Sequence, residues 1–123
     1  MEITKCESMI MMIVWSADHH MTMAEILNNV NKKYNKGWKS QTVSTYLRRL
    51  VKKGFLGIYR EEHCYKYNSL LKQECAFKIL ISDHVKIWCD GDYQAFASNV
   101  KECENVDINF ISWITESEPP EMD

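Results

Sequence analysis

The chain has 123 residues, of which 46% are hydrophobic and 26% are charged, and its formal net charge is −2. This length suits one domain, or a small domain with an appended oligomerisation segment, and the hydrophobic fraction excludes wholesale disorder. No apolar run is long enough to cross a membrane and the N-terminus has no signal-segment pattern, so the sequence predicts a cytoplasmic protein.

The charges are distributed unevenly along the chain. Between Ile26 and Arg60 there are nine basic residues and no acidic residue. After Lys101 the balance reverses, with seven acidic residues and no basic one. A basic middle with acidic ends fits a nucleic-acid-binding protein that is not basic overall.

Two capping boxes predict the first two helices. Thr4 and Glu7 begin a helix that is apolar on almost every side as far as Trp15, so we expect it at the centre of the core. Thr22 and Glu25 begin a second helix with a one-sided apolar stripe. Two capped helices joined by a glycine-containing turn to a third helix are the pattern of a helix-turn-helix.

The segment from Lys39 to Gly54 is predicted to form that third helix, which ends at the glycine. Four of its apolar side chains recur on one face and must be buried, namely Val43, Tyr46, Leu47 and Leu50. The opposite face carries cationic and hydrogen-bonding side chains and no carboxylate, as a helix that reads DNA requires. An ordinary solvated helix is the alternative, because the helix dipole favours basic residues in the last turn.

A short hairpin is predicted after the third helix. Residues 55–60 and 64–68 are rich in aromatic and β-branched side chains and flank Glu61, Glu62 and His63. Three helices followed by a hairpin predict a mostly α fold of the α+β type, with a winged helix-turn-helix DNA-binding domain over residues 1–70.

The remaining chain is predicted to form dimerisation helices over residues 71–116, followed by a disordered acidic tail over residues 117–123. The apolar stripes are wider than one small domain can bury, so an identical chain is the expected partner. The side chains predicted at this dimer interface are Phe77, Ile81, Val85, Trp88, Tyr93, Phe96, Val100, Phe110 and Trp113.

The sequence gives no sign of a metal site, a cofactor or an enzyme. The five cysteines never fall closer than eleven residues apart, so we interpret them as small buried side chains in a reducing compartment. The adjacent His19 and His20 cannot face one ion from a helix, so they predict a turn. No catalytic triad order, paired carboxylates or phosphate-binding glycine loop is present.

From residue 3 to about residue 114 the chain resembles the BlaI/MecI family of transcriptional repressors. The resemblance lies mainly in the run from Gln41 to Leu56, supported by Trp38 and by the Tyr65-Lys66-Tyr67 segment, and its specific part is the core from Thr42 to Gly54. The resemblance implies a homodimer, with winged helices on a palindromic operator and interlocked C-terminal helices. It also implies groove-reading roles for the residues at positions 41, 42, 44, 45 and 49.

Helical periodicity adds Arg48 to that set. The predicted base-reading residues are therefore Gln41, Thr42, Ser44, Thr45, Arg48 and Arg49. The residues predicted to hold phosphates are Lys32, Lys33, Lys36, Lys39, Lys52, Lys53 and Lys66.

Family members that control β-lactam resistance respond to a membrane sensor-protease pathway by cleavage at an Asn-Phe bond. The matching position here is Asn99-Val100, which makes an upstream sensor or protease a candidate partner. The chain also departs from the family at the tip of the predicted hairpin, which is the wing of a winged helix, because Glu61 and Glu62 at this tip should repel phosphate. The sequence therefore predicts a dimeric, sequence-specific DNA-binding repressor, with a winged-helix protein-interaction module as the alternative.

Overall fold

The computed structural model describes residues 2–103. They form helix α1 (Lys5–Ser16), helix α2 (Met23–Tyr34), helix α3 (Ser40–Lys52), strands β1 (Leu56–Glu61) and β2 (Cys64–Ser69), helix α4 (Gln73–Cys89) and helix α5 (Tyr93–Cys103). The chain divides into two compact units, one that ends at Phe77 and one that begins at Lys78. Phe110, Trp113 and the predicted tail lie outside the described residues.

The first two helices begin as their sequences predict. Thr4 accepts a hydrogen bond from the backbone amide of Glu7, and the Glu7 carboxylate accepts one from the amide of Thr4. Thr22 and Glu25 form the same reciprocal pair at the start of α2. Each capping box satisfies two backbone donors that a helix start otherwise leaves open.

The core of the first unit is made by the apolar faces of the three helices. The fully buried side chains of largest volume include Ile10 and Met11 of α1, Ile26 of α2 and Leu47 of α3. Burial of each such side chain contributes about 1.5–3 kcal/mol. Ala76, in the first turn of α4, belongs to this core, so the first unit extends beyond residue 70.

The hairpin is antiparallel, with Leu56 opposite Ser69 at its base and Glu61 opposite Cys64 at its tip. The backbone amide of Tyr67 also donates to the carbonyl of Met21 at 2.9 Å, which adds a one-residue bridge to the sheet. Three helices and this hairpin form a winged helix-turn-helix, so the predicted fold class is confirmed for the first unit.

In the second unit, α4 and α5 are separated by a break at Asp90 and Gly91, both of which have positive φ. Asp92 caps α5 by accepting hydrogen bonds from the amides of Gln94 and Ala95 at 3.0 and 3.1 Å. The sequence Asp90-Gly91-Asp92 suits this break, because Gly adopts a positive φ without strain and Asp tolerates it better than most residues. Among the described residues, no helix is long and apolar enough to cross a membrane.

The prediction that the cysteines are buried is wrong for four of the five. Cys6 is buried in the core, Cys89 is partly exposed, and Cys64, Cys75 and Cys103 are exposed. Cys64 lies beside the hairpin turn, where no element covers it, and Cys75 and Cys103 lie on exposed helix surfaces. Small size and weak polarity permit burial of a thiol but do not dictate it.

The turn between α1 and α2 holds an exposed cluster of ionisable groups. The His19 ring is 2.8 Å from a carboxylate oxygen of Asp18 and 2.8 Å from one of Glu25. The hydrogen bonds to Asp18 and then Glu25 raise the pKa of His19 above its ordinary 6.5. The Thr22 backbone amide and then His19 lower the pKa of Glu25 from 4.5 to about 2.

We predict that this cluster makes stability depend on pH. The raised pKa of His19 means that its contribution is complete below pH 6.5 and disappears as the pH rises through the folded-state value. The contribution of Glu25 is present above pH 4.5 and disappears as the pH falls toward 2. The difference in Tm between the wild type and His19→Gln should therefore shrink as the pH of the thermal unfolding experiment is raised from about 6 to about 9.

The control for this experiment is His84→Gln, which removes an exposed imidazole from α4. It should leave the pH dependence of the wild type unchanged. A wild-type and His19→Gln difference that stays constant across this range would contradict the prediction.

Candidate nucleic-acid interface

The outward face of α3 is set by the burial of its other face. Val43, Leu47 and Leu50 have no exposed surface, and Tyr46 is buried as well. At 100° per residue, these positions direct the intervening polar side chains away from the core. Helix α3 contains no Asp or Glu between Ser40 and Lys52, so no residue of this helix brings a negative charge to that face.

The start of α3 is fixed by the preceding turn. No side chain caps the helix at Lys39. Instead, the Asn31 side chain accepts a hydrogen bond from the backbone amide of Trp38 at 3.0 Å and donates one to the backbone carbonyl of Trp38 at 2.9 Å. The Trp38 ring packs against Tyr46 with a centroid separation of 5.1 Å. The turn of the helix-turn-helix is therefore held from both sides, by α2 and by α3.

The predicted base-reading residues all belong to α3 and none is fully buried. Gln41 and Arg48 are exposed, and the other four are partly exposed, namely Thr42, Ser44, Thr45 and Arg49. The Thr45 hydroxyl donates to the Gln41 carbonyl at 3.0 Å, which leaves its lone pairs and methyl group for other contacts. The Arg49 guanidinium lies 6.0 Å from the centroid of the Tyr46 ring.

Most of the predicted phosphate-binding lysines lie at the surface. Lys32, Lys33, Lys39 and Lys52 are exposed, and Lys36 is partly exposed. These residues lie at the end of α2, in the turn and at both ends of α3. Their positions suit backbone-phosphate contacts on either side of a helix in a groove.

Lys53 differs from these lysines because it is bound to a buried carboxylate. Its ammonium is 2.6 Å from Oε1 of Glu7, a residue of α1 whose side chain has no exposed surface. The Lys53 side chain itself is 31% exposed. The sequence indicates Glu7 only as a capping residue, because nothing in the local pattern indicates a partner 46 positions away.

The wing lysine is also paired. Lys66 donates to a carboxylate oxygen of Glu61 across the hairpin at 3.2 Å. On the same side of the molecule, the hydroxyl of Tyr59 lies 2.5 Å from Nδ1 of His20. The hairpin is thus tied to the loop before α2, a contact that the sequence did not predict.

The predicted interface residues of α4 and α5 differ in exposure. Phe77, Trp88, Tyr93 and Val100 are exposed, and Ile81 and Phe96 are partly exposed. Val85 is already buried within a single chain, so we leave it out of the proposed interface. Asn99 and Val100 are exposed on α5, and in the described residues no group of His, Cys, Asp or Glu is arranged to hold a metal ion.

The comparisons with known proteins agree with this geometry. The model of the penicillinase repressor family matches residues 3–116. A solution structure of the DNA-binding domain of the repressor BlaI is similar, with a TM-score of 0.52 and 25% sequence identity, over 58% of this chain and 84% of that chain. No curated protein sequence matches the chain.

The fold and the basic helix face define a winged-helix protein of the DNA-binding repressor class. The family match covers far more than half of the sequence, so the chain belongs to the penicillinase repressor family. This confirms the resemblance to BlaI and MecI that the sequence suggested.

The pairing of Lys53 with Glu7 predicts a structural role for this lysine. Lys53→Ala should cost about 2–4 kcal/mol of unfolding free energy, because the buried Glu7 carboxylate loses its cation; the partial exposure of Lys53 keeps the loss below that of a fully buried pair. The neighbouring exposed residue gives the control, and Lys52→Ala should change stability by less than about 0.5 kcal/mol. Urea unfolding at a fixed protein concentration measures both values.

A second variant separates the two possible roles of Lys53. In Glu7→Gln no charged carboxylate is left to compensate, so the further loss from Lys53→Ala should fall well below its value in the wild type. Equal losses of stability in both backgrounds would contradict the pairing with Glu7. A Lys53→Ala protein of normal stability whose salt slope for DNA binding falls by about 1 would instead assign Lys53 to a phosphate.

Proposed function

We propose that the protein represses transcription by binding as a homodimer to an inverted-repeat operator through α3. The observation that carries this proposal is the outward face of α3, which combines guanidinium, amide and hydroxyl groups on a helix without carboxylates. These groups match the donors and acceptors at base edges in the major groove. Occlusion of a promoter by the bound protein is the proposed mechanism of repression.

Base reading is assigned to the exposed and partly exposed side chains of α3. Gln41 can pair with adenine through two hydrogen bonds, and Arg48 or Arg49 can pair with guanine in the same way. The Thr45 methyl group can contact the methyl group of thymine. Thr42 and Ser44 complete the proposed set, and these six residues would determine sequence preference.

Affinity and register are assigned to the lysines around α3. We propose phosphate contacts for Lys32, Lys33, Lys36, Lys39 and Lys52. Lys53 and Lys66 are left out of this set because carboxylates already compensate their charges at 2.6 and 3.2 Å. The proposed phosphate contacts therefore cluster around the helix-turn-helix.

Helices α4 and α5 are assigned to dimerisation. Trp88 and Ile87 are 76% and 72% exposed, and Phe77, Tyr93 and Val100 each expose more than half of their surface. Large apolar side chains with this exposure favour a covered interface, and a second copy on a two-fold axis is consistent with an inverted-repeat site. The proposed site of action is the cytoplasm.

Cleavage at Asn99-Val100 by an upstream protease is a further part of the proposal. Both residues lie within α5, which runs from Tyr93 to Cys103. Proteases act on locally opened chain, so α5 must unfold around this bond before cleavage. Loss of the chain beyond this bond would remove part of the proposed dimer interface and release the operator.

The assigned roles predict different effects of two substitutions on DNA binding. Arg49→Ala should cost about 1–3 kcal/mol on the operator and relax specificity, because a base contact is lost. Lys33→Ala should weaken operator and random DNA alike and reduce the salt slope by about 1. Titrations of both variants with the gene's own upstream DNA and with a random duplex at two salt concentrations measure these effects.

The same titrations test the function itself. Wild-type preference for the upstream DNA by roughly a thousandfold or more supports a specific repressor. Weak and equal binding to both duplexes would contradict it and favour a protein-interaction module. Equal losses on both duplexes for Arg49→Ala and Lys33→Ala would contradict the assignment of the two roles.

The dimer proposal predicts that Trp88→Glu shifts the protein toward a monomer, because the substitution buries a carboxylate in an apolar interface. Light scattering coupled to size-exclusion chromatography measures the mass. Lys86→Gln is the control, since it changes a neighbouring exposed residue of α4 without adding a buried charge. An unchanged dimer in Trp88→Glu would place the interface elsewhere.

A further inference from the structure

The tip of the hairpin carries the acidic residues of the wing. Glu61 ends β1, and Glu62 and His63 form a two-residue turn to β2. Glu62 and His63 have φ values of 51° and 69°, so both adopt the left-handed conformation of a tight hairpin turn. Such a short turn has little freedom to withdraw its side chains, and all three residues are exposed.

The cations of the wing do not outweigh these carboxylates. Strands β1 and β2 with their turn contain Arg60 and Lys66, opposed by Glu61 and Glu62. Tyr59 and Glu61 are two positions apart in β1 and therefore lie on the same face of the hairpin. Lys66 is directly opposite Tyr59 and lies on that face as well. Their hydrogen bond raises the pKa of Lys66, so this lysine remains charged but is held by a carboxylate.

The wing and α3 therefore differ in electrostatic character. Helix α3 contains Arg48, Arg49 and Lys52 and no acidic residue, whereas the hairpin has no net formal charge at neutral pH. Only three residues separate the last residue of α3 from the first residue of β1. Glu61 and Glu62 lie at the far end of β1 from α3, so their charges act on a phosphate that approaches the tip to within the Debye length of about 8–10 Å.

We propose that the acidic wing tip is an electrostatic brake on DNA binding. Glu61 occupies Lys66 and prevents its contact with phosphate, and Glu62 repels the backbone at the tip. The brake lowers affinity for all sequences alike, because phosphate contacts carry no sequence information. This inference rests on the proposed DNA-binding function, and it makes the protein a repressor that releases its site readily.

The test removes the two charges without altering the size of the side chains. Glu61→Gln/Glu62→Gln in the full chain should bind both the upstream DNA and a random duplex about threefold to tenfold more tightly at low salt, with a salt slope steeper by about 1. The ratio of the two affinities should not change. Thermal unfolding confirms that the variant is folded.

Matched controls separate a local effect from a change in total charge. Glu2→Gln/Glu74→Gln also removes two exposed carboxylates from outside the hairpin. This control should raise affinity by less than twofold. An equal gain in both double variants, or no gain in the wing variant, would overturn the proposal.

A second pair of variants tests whether Glu61 occupies Lys66. Lys66→Met should weaken binding by less than twofold in the wild type, but by roughly threefold in the Glu61→Gln background, where the lysine is released. A loss in the wild type as large as that of Lys33→Ala would show that Lys66 already contacts phosphate, and would overturn the brake.

The failure of the brake and the failure of the repressor function remain distinguishable. Electrostatic binding to the random duplex reports the brake directly, because it needs no operator. Absence of preference for the upstream DNA, combined with a gain in the wing variant, would reject the specific repressor and retain the brake.

Discussion

The burial of one face of α3 against α1 and α2 is the constraint on which the rest of the structure depends. Val43, Leu47 and Leu50 are completely covered, and any rotation of the helix would expose them at a cost of about 1.5–3 kcal/mol each. This burial fixes which side chains face outward and fixes the direction in which the hairpin leaves Gly54. The proposed DNA-binding face is thus a consequence of core packing, and its polar residues need no further device to orient them.

The buried pair of Glu7 and Lys53 adds a polar link to this apolar packing. The Glu7 carboxylate caps α1 through Thr4 and binds the ammonium of Lys53 at the end of α3. Its other oxygen, Oε2, has no hydrogen-bond partner within residues 2–103. The pair therefore stabilises less than a fully satisfied network, yet removal of Lys53 leaves the buried Glu7 carboxylate uncompensated. Lys53, which the sequence predicts to bind a DNA phosphate, instead joins the end of α3 to α1.

Charge distribution divides the N-terminal unit into two surfaces with different roles. The end of α2, the turn and α3 carry lysines and arginines, whereas the hairpin combines two cations with two carboxylates. Affinity in the proposed complex then comes mainly from the helix-turn-helix, and the wing tempers it. The second unit, with its large exposed apolar side chains, supplies a separate surface suited to a second copy of the chain. In the proposed complex, the basic helix-turn-helix would supply the affinity for DNA and the wing would lower it.

The sequence by itself determined the elements of the fold, because the signals involved are local. Capping boxes at Thr4 and Thr22, the apolar stripe of α3 and the glycine after it each act within a few residues. Helices α1 and α2 begin directly after the predicted caps, and the ends of α3 and of both strands lie within two residues of the predicted positions. Only the tertiary structure decided which charges are available. The partners of Lys53 and Lys66 depend on packing between distant helices and on hairpin register. The exposure of the cysteines and the burial of Val85 depend likewise on which surfaces meet, which a one-dimensional pattern does not specify.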